Sequence, residues 1–534
     1  MSRTTLSDLG DARMPDDDEQ SGDPARGLRQ ALPWIALVIG TGAGALLSVG
    51  AFLGLYVRPT SDDWCALWKT RDMGVLGITS DFYLTQNGRV TNALLTGLLY
   101  SDGMRGPKLL PAFLVVALGA GLFLLARVVL RALRLPFPAA AAAAAVLVVE
   151  ALLFFAGTRS YQALLWAPAT ISHTLPSVFG VWAVLSAVWA ARSSRRWARG
   201  GAVGAAAVLG TAAGMLSEPF VAMSGLVAAA AGVLCLPRFG RTRDRFASTW
   251  CAAWCLGLLV GLVLLTTSPG ARWRRAQQPK EPLTLSGVGE AVGDWYRIWE
   301  TIGGQWAYVG ALAAGVLLGL AVSLSARRTG GGGAGADGED AGSGRASGGT
   351  FRVAVLALPL PLIALGSLVA AYGLRSGYGV DGWTYARTWT SFVVPFLLAL
   401  CGYGAWLGYR LGRGLAAPPV DGEEDGAGRA APPPGVRASR LAALVATGAV
   451  AVASTAALVP AVRALTTQTV ARSLAWDRQD ARIRAEVAAG RSEVGYRPLH
   501  IGSLAEPFFT KVYEKDWAAR CTAEYYGVDR ITRS

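Results

Sequence analysis

Two adjacent carboxylates, Asp62 and Asp63 in the stretch "TSDDW", follow a long apolar segment of the chain. One carboxylate can act as a general base toward a hydroxyl group, and two together can hold a divalent cation. The same residues can also form a solvated turn, or cap a helix that begins at "WCALW". The spacing leaves these alternatives open, and it does not say which of Asp62 and Asp63 would be the base.

Four cations lie close together in "SPGARWRRAQQPK", namely Arg272, Arg274, Arg275 and Lys280. Ser-Pro-Gly predicts a turn at the end of an apolar segment, and cations at headgroup depth can bind a lipid phosphate. If the stretch is helical, Arg272 and Arg275 share a face at i and i+3, whereas Arg274 points elsewhere. Loose attraction to bulk anionic headgroups is the alternative interpretation.

Five further polar residues are candidates for substrate binding: Arg89, His173, Glu218, Tyr385 and Arg387. Glu218 in "SEPF" lies at a tight turn between apolar segments, where a carboxylate usually faces a cavity or a partner. His173 in "ISHTLP" has no Cys or Glu at metal-ligand spacing. A structural ion pair for Glu218 and an ordinary interfacial position for His173 are the alternatives. The cofactor requirement is unknown at this point, with a divalent cation as one candidate.

The elements that must position these residues are membrane helices. The chain has 534 residues, of which 52% are hydrophobic and only 16% charged, against about a quarter charged in a soluble domain. Apolar segments near the 20 or so residues needed to cross a bilayer recur along it. The predicted spans are 32–57, 109–130, 137–157, 174–191, 200–217, 219–236, 247–267, 304–325, 353–374, 389–409 and 441–462. We therefore expect an all-α polytopic membrane protein with about eleven transmembrane helices.

Arginines cluster in alternate short loops, after the second, fourth, sixth and eighth predicted spans. The positive-inside rule assigns these loops to the cytoplasm. The N-terminus is then cytoplasmic and the C-terminus extracytoplasmic, in the plasma membrane of a bacterium. The acid pair and the basic cluster share the outer side, where the basic cluster disobeys the rule, so we expect another role for its arginines.

The polar segments divide the chain into three parts. Residues 1–30 are polar and acidic and predict a disordered cytoplasmic tail. Residues 31–463 are the transmembrane domain, and residues 464–534 a small extracytoplasmic α+β domain. The transmembrane domain includes a long first outer loop and two cytoplasmic linkers: 58–108, 326–352 and 412–440. Within the first loop, "VTNALLTGLLY" has the apolar spacing of a helix that lies in the membrane interface.

Six cysteines are present, and four of them fall within predicted spans, where cysteine is most often a small packing residue. The other two, Cys65 and Cys521, are predicted to lie outside, in an oxidising compartment. A disulfide between the first loop and the terminal domain is one expectation, and two free thiols are the alternative.

The composition also limits the class of function. The net charge is +14, but the arginines flank membrane spans and no basic-aromatic module for nucleic acid is present, so we expect no nucleic-acid partner. No soluble segment exceeds about 70 residues, which is too short for a nucleotide-binding α/β domain. An activated substrate would then arrive through the lipid, and a polyprenyl phosphate that carries a sugar fits, because its phosphate already leaves easily. Such a reaction needs a base for the acceptor hydroxyl and cations for the developing charge.

Five short stretches carry a resemblance to a known family: "SDDW", "NGRVTN", "SHTLP", "SEPF" and "SPGARWRR", in this order. With the long first loop and its interfacial helix, they resemble the GT-C superfamily of polyprenyl-phosphate-dependent glycosyltransferases, and more narrowly an uncharacterised family of bacterial membrane proteins near it. The resemblance implies that Asp62 or Asp63 is the base. It also implies a polyprenyl-phosphate sugar donor and an envelope glycan, lipid or protein as acceptor. A transporter or flippase for a lipid-linked substrate and a non-catalytic assembly scaffold are the alternatives.

Overall fold

The computed structural model describes residues 24–157, 159–237, 243–277, 285–330, 356–415, 434–501 and 512–534. Lys280, most of the two predicted linkers and residues 1–23 lie outside these ranges. The described chain is helical nearly throughout. The fold is therefore built by packing helices against one another.

The helices from the first half of the chain are α1 Pro24–Leu53, α2 Asp62–Asp81, α3 Val90–Tyr100, α4 Arg105–Ala132, α5 Ala139–Phe155, α6 Ala167–His173, α7 Leu175–Arg192, α8 Arg196–Gly214, α9 Glu218–Leu234 and α10 Arg245–Thr267. They continue with α11 Pro269–Ala276, α12 Leu285–Gly303, α13 Val309–Gly330, α14 Pro359–Tyr378, α15 Thr390–Leu415, α16 Pro434–Ala456, α17 Val459–Ala488 and α18 Trp517–Tyr526. Two strands, β1 Glu493–Tyr496 and β2 Arg530–Arg533, pair in parallel.

Eight helical segments in the described residues are long and apolar enough to cross a membrane. They are Gln30–Tyr56, Arg105–Ala132, Ala167–Arg192, Arg245–Thr267, Trp306–Ala326, Pro359–Thr384, Ala386–Arg413 and Ala442–Ala488. This establishes a multi-pass helical membrane protein. The three other predicted spans are also helical, as α5, α8 and α9, but α5 and α9 have only 17 residues each. Eleven spans therefore stay a prediction.

Small residues bring the helices of the bundle together. A Cβ atom at Gly315 or Gly319 on α13 would overlap the backbone of Cys401 or Ala405 on α15. The pair α8 and α10 meets in the same way, since a Cβ atom at Gly214 would overlap the backbone of α10. Close backbone approach of this kind is the usual packing solution in lipid, where the hydrophobic effect does not drive helix association.

Several helices extend beyond the boundaries predicted for them. Helix α1 begins at Pro24, inside the predicted disordered tail, and α13 and α15 continue into the predicted linkers. The first loop, 58–108, is mostly the two helices α2 and α3, and α12 occupies part of another predicted loop. A helix gains one hydrogen bond per added residue whatever the side chain. Hydropathy therefore marks the membrane-crossing part of a helix better than its ends.

The C-terminal module, residues 464–501 and 512–534, packs around a tryptophan of the first loop. Trp64 on α2 is fully buried, and its ring lies 6.2 Å from that of Trp476 and 5.9 Å from that of Tyr496. Ile483, Val494 and Ile531 belong to the same apolar cluster, which joins α17, β1 and β2. The module thus has its own small core, completed by a side chain from the opposite end of the sequence.

Candidate active site

The two aspartates at the start of α2 have different surroundings. Asp63 is 1% exposed, and both of its carboxylate oxygens accept hydrogen bonds, one from the backbone N–H of Thr60 at 2.9 Å and one from the Tyr100 hydroxyl. Burial raises the pKa of Asp63 to about 7, against the opposing effect of these two hydrogen bonds. Asp63 therefore fixes the turn before α2 and, being buried, presents almost no surface to a substrate.

Asp62, by contrast, keeps an accessible side chain. The preceding residue, Ser61, has φ +52° and ψ −118°, a backbone conformation that is strained for a residue other than glycine. We call the space between Asp62 and its neighbours Arg89, Arg274 and Arg387 the recess. Desolvation there raises the pKa of Asp62, although three nearby arginines act in the opposite sense. The strained turn thus leaves Asp63 buried in a structural role and Asp62 accessible.

The three arginines are Arg387, Arg274 and Arg89, and all lie close enough to Asp62 to lower its pKa electrostatically. They come from three distant parts of the chain: the segment before α15, helix α11 and the residue before α3. The fold therefore brings together the acid pair and three of the cations that the sequence singled out. A carboxylate surrounded by cations is the arrangement expected of a site in which the carboxylate acts as a base and the cations bind an anionic ligand.

Arg89 is held by Glu218, the first residue of α9. Its Nη2 atom lies 2.7 Å from Glu218 Oε2, and its guanidinium also hydrogen-bonds Tyr378. Since the Arg89 side chain is 19% exposed and that of Glu218 42% exposed, the pair lies at the wall of the recess. Glu218 thus forms the structural ion pair that was one of the two interpretations of this residue. Through Arg89 it also belongs to the candidate site.

His173 lies behind this wall, at the end of α6. It is buried, and its Nδ1 atom is 3.4 Å from Ser217 Oγ, next to Glu218. The adjacent Ser172 accepts a hydrogen bond from Asn92 at 2.8 Å. The stretches "NGRVTN", "SHTLP" and "SEPF" are therefore packed against one another, and His173 contributes chiefly to the contact between α6 and α9.

Aromatic rings hold Arg387 in place. Its guanidinium carbon lies 4.9 Å from the ring centre of Tyr385 and 5.4 Å from that of Trp166. The Tyr385 ring stacks on Tyr378, with centroids 4.4 Å apart. Within the described residues, Arg387 has no carboxylate at ion-pair distance, so its charge stays available to a ligand. Cation–π contacts of this kind orient a guanidinium without neutralising it.

The basic stretch forms helix α11, as its spacing allowed, and it packs on the first loop. A Cβ atom at Gly88, which has φ +75°, would overlap Ser268, and one at Gly270 would lie 2.7 Å from the backbone N of Gln86. Ser268 caps α11 by accepting a hydrogen bond from Ala271 N at 3.1 Å. The glycines thus allow α11 to contact the segment that carries Arg89.

The three arginines on α11 have different contacts. Arg272, Arg274 and Arg275 are all exposed. Arg275, however, donates to the backbone carbonyl of Thr266 at 2.5 Å, and Arg274 is the member that lies near Asp62. The joint role expected for Arg272 and Arg275 stays a prediction, and Arg274 is added as the residue of α11 that acts on Asp62. The sequence shows which residues share a face of α11, but it does not show which face packs against the rest of the protein.

The C-terminal module holds the turn that carries Asp62 and Asp63. Cys65 and Cys521 form a disulfide with a Cα–Cα distance of 4.8 Å. Arg472 on α17 donates to the carbonyl oxygens of Arg58 at 3.2 Å and of Pro59 at 2.8 Å. Together with the buried Trp64, these contacts fix the backbone on both sides of the acid pair.

Four residues of this region escaped the sequence reading: Trp64, Tyr100, Trp166 and Arg472. A tryptophan directly after the acid pair was visible in "SDDW", but nothing in a single sequence connects it with Trp476. The two helices that carry these tryptophans are about 400 residues apart in the sequence, and a contact between them depends on tertiary packing.

Among the described residues, no group of three His, Cys, Asp or Glu side chains is arranged to hold a metal ion. Asp62 is the open carboxylate, with Asp63 beside it already hydrogen-bonded. The use of a divalent cation therefore stays an open prediction.

No protein-family model matches this chain, and neither a curated protein nor a solved structure is similar enough to count as a match. The family resemblance thus depends on the five short stretches alone. In the structure "NGRVTN" contacts "SHTLP", "SEPF" and "SPGARWRR", and arginines of "NGRVTN" and "SPGARWRR" lie near Asp62.

Proposed function

We propose that the protein is a membrane glycosyltransferase that moves a sugar from a polyprenyl-phosphate donor to an acceptor hydroxyl. The observation that supports this most is the position of Asp62, an accessible carboxylate close to Arg387, Arg274 and Arg89. A carboxylate that can act as a base thus lies close to cations that can bind a phosphate.

In the proposed reaction, Asp62 accepts the proton of the acceptor hydroxyl as its oxygen attacks the anomeric carbon of the sugar. The bond from acceptor oxygen to carbon forms, and the bond from carbon to phosphate oxygen breaks. Polyprenyl phosphate leaves with the electron pair. A raised pKa suits this role, since a base is most effective when its pKa is nearer the working pH than that of an ordinary aspartate.

The cations would stabilise the charge that grows on the leaving phosphate. Arg387 has no carboxylate at ion-pair distance in the described chain, and Arg274 is exposed on α11 beside the recess. Arginine suits phosphate because its planar guanidinium can donate two parallel hydrogen bonds. Preorganised donors of this kind are often the largest single contribution to catalysis.

The surroundings of the recess fit a donor that comes from the bilayer. Leu98 on α3 is 56% exposed whereas Thr91 and Asn92 are buried against the bundle, so α3 turns its apolar side outward. Trp273 on α11 is 59% exposed, as expected of an aromatic residue at the membrane interface. Lipid would therefore reach the arginines of the recess without crossing a soluble domain.

The test is sugar transfer in membranes that contain the full-length protein, with a panel of radiolabelled polyprenyl-phosphate sugars. We expect one donor to be consumed, and Asp62→Asn to lower turnover by about 10²–10⁴-fold. Asp102→Asn is the matched control, because Asp102 forms an exposed ion pair with Arg105 away from the recess. Equal turnover in the Asp62→Asn protein and in wild type would refute the proposal.

A further inference from the structure

A second cavity lies behind the acid pair, with a volume of about 330 Å³. It is enclosed by the turn before α2, by the segment from Arg159 to Trp166 and by α17. This volume is in the range of sites for small molecules. The recess that holds Asp62 and this cavity share Trp166, whose ring contacts Arg387 on one side and lines the cavity on the other.

The cavity wall is positively charged. Arg58, Arg159 and Arg472 line it, and no Asp or Glu is found among its lining residues in the described chain. The charge of Arg58 is already matched, since its Nε and Nη2 atoms lie 2.6 and 2.9 Å from the carboxylate oxygens of Asp477. Arg159 forms no ion pair within the described ranges. One guanidinium in this wall therefore lacks a counter-charge.

Arg387 adds to this excess of charge. It lies near enough to Arg159 that its repulsion, after burial, lowers the pKa of the Arg159 guanidinium. Asp62, the carboxylate near Arg387, is not among the groups that act on the pKa of Arg159. The charge of Arg159 is thus unmatched in the described residues, and an anion bound in the cavity would match it.

The cavity also offers groups that bind hydroxyls. Thr60 is fully buried, lines the cavity, and its Oγ1 atom has no hydrogen-bond partner in the described residues. Gln162 and Gln468 contribute amides, which both donate and accept. Buried hydroxyls are nearly always hydrogen-bonded, so the unused Thr60 hydroxyl indicates a missing polar partner.

We propose that this cavity binds an anionic polyol, namely a sugar unit or a glycerol unit that bears one carboxylate or one phosphate, as part of the acceptor. This assignment rests on the proposed function, because it places an acceptor next to Asp62. The anion pairs with Arg159, and hydroxyls of the ligand bond Thr60 and the amides. Thr60 lines the cavity and its N–H donates to Asp63, so the cavity adjoins the turn that carries the acid pair.

The experiment is a direct binding measurement by calorimetry, on full-length protein in a neutral detergent. Its probes are glucuronic acid, sn-glycerol 3-phosphate and glucose. We expect at least one anionic probe to bind tenfold or more tightly than glucose, and the stronger of the two identifies whether a carboxylate or a phosphate is preferred. Arg159→Gln should reduce that affinity about tenfold, whereas Arg105→Gln, on an exposed arginine, should leave it unchanged.

Two further variants test the role of the cavity separately from the proposed reaction. Thr60→Val removes a hydroxyl that has no internal partner, so it should weaken probe binding without lowering thermal stability. Asp62→Asn should bind the anionic probe as wild type does while losing sugar transfer, which distinguishes failure of the cavity from failure of the proposed reaction. Equal affinity for glucose and both anions, or anion binding that neither Arg159→Gln nor Thr60→Val weakens, would overturn the inference.

Discussion

Arg89 Nη2 lies 2.7 Å from Glu218 Oε2, and this ion pair joins the residue before α3 to the first residue of α9. The pair does two things at once. It connects the first loop with the helical bundle, and it places a cation beside Asp62. The two roles respond differently to mutation, which makes them separable.

Reversal of the pair is the first prediction. Arg89→Glu alone should lower thermal stability and abolish transfer, since two carboxylates would then face each other. The double variant Arg89→Glu with Glu218→Arg should recover most of the stability, about 1 kcal/mol for a partly exposed pair. It should recover little transfer, because the cation no longer occupies its place near Asp62. Full recovery of both properties would show that only the connection between the elements matters.

The second prediction concerns pH and Asp63. Burial raises the pKa of Asp63 to about 7, so between about pH 4 and pH 7 the folded protein binds a proton that the unfolded chain has released. Stability from this group is therefore present at low pH and is lost as the pH rises toward 7. Asp63→Asn should flatten the pH dependence of the unfolding temperature in this window. An unchanged slope in the variant would contradict the assignment.

The third prediction separates the arginines of α11. Arg274→Gln should reduce transfer at least tenfold, since Arg274 lies near Asp62. Arg275→Gln should chiefly lower stability, because Arg275 donates to the carbonyl of Thr266 at the end of α10. Arg272→Gln on the same helix is the control for loss of charge. Equal losses of transfer in all three variants would favour loose attraction to anionic lipid.

The fourth prediction concerns the disulfide between Cys65 and Cys521. Non-reducing digestion and mass spectrometry should recover the two peptides joined, and the double Ser variant should unfold about 2–4 kcal/mol more easily. Transfer should fall as well, because the bond lies two residues after Asp63. Two free thiols in protein purified without reductant would contradict this structure, and the Cys401→Ser variant is the control for removal of a thiol.

The fifth prediction is the orientation of the chain, which the positive-inside rule derives from alternate arginine-rich loops. A phosphatase fused after Ser534 should be active, and a fluorescent protein fused there should be dark. The opposite pattern would put the recess on the cytoplasmic side, where the disulfide would be reduced.

Hydropathy was enough to predict the class of fold, because repeated apolar runs of about 20 residues are typical of membrane-spanning helices. It did not single out α12, an amphipathic helix whose apolar residues recur every three to four positions and whose mean hydropathy is therefore low. Local spacing also found Asp62 and Asp63 together but could not separate them. Their difference arises from the strained turn at Ser61 and from Tyr100, some 40 residues later, and long-range contacts of this kind leave no trace in local pattern.

The contact between Trp64 and Trp476 has a consequence for biosynthesis. The disulfide partners beside this contact are separated by 456 residues, so the turn that carries Asp62 is made early and its contacts with the C-terminal module form late. A ribosome must complete almost the whole chain before the C-terminal module can pack around Trp64. Nascent and truncated chains would therefore lack an ordered recess, and the protein would be inert throughout its own insertion into the membrane.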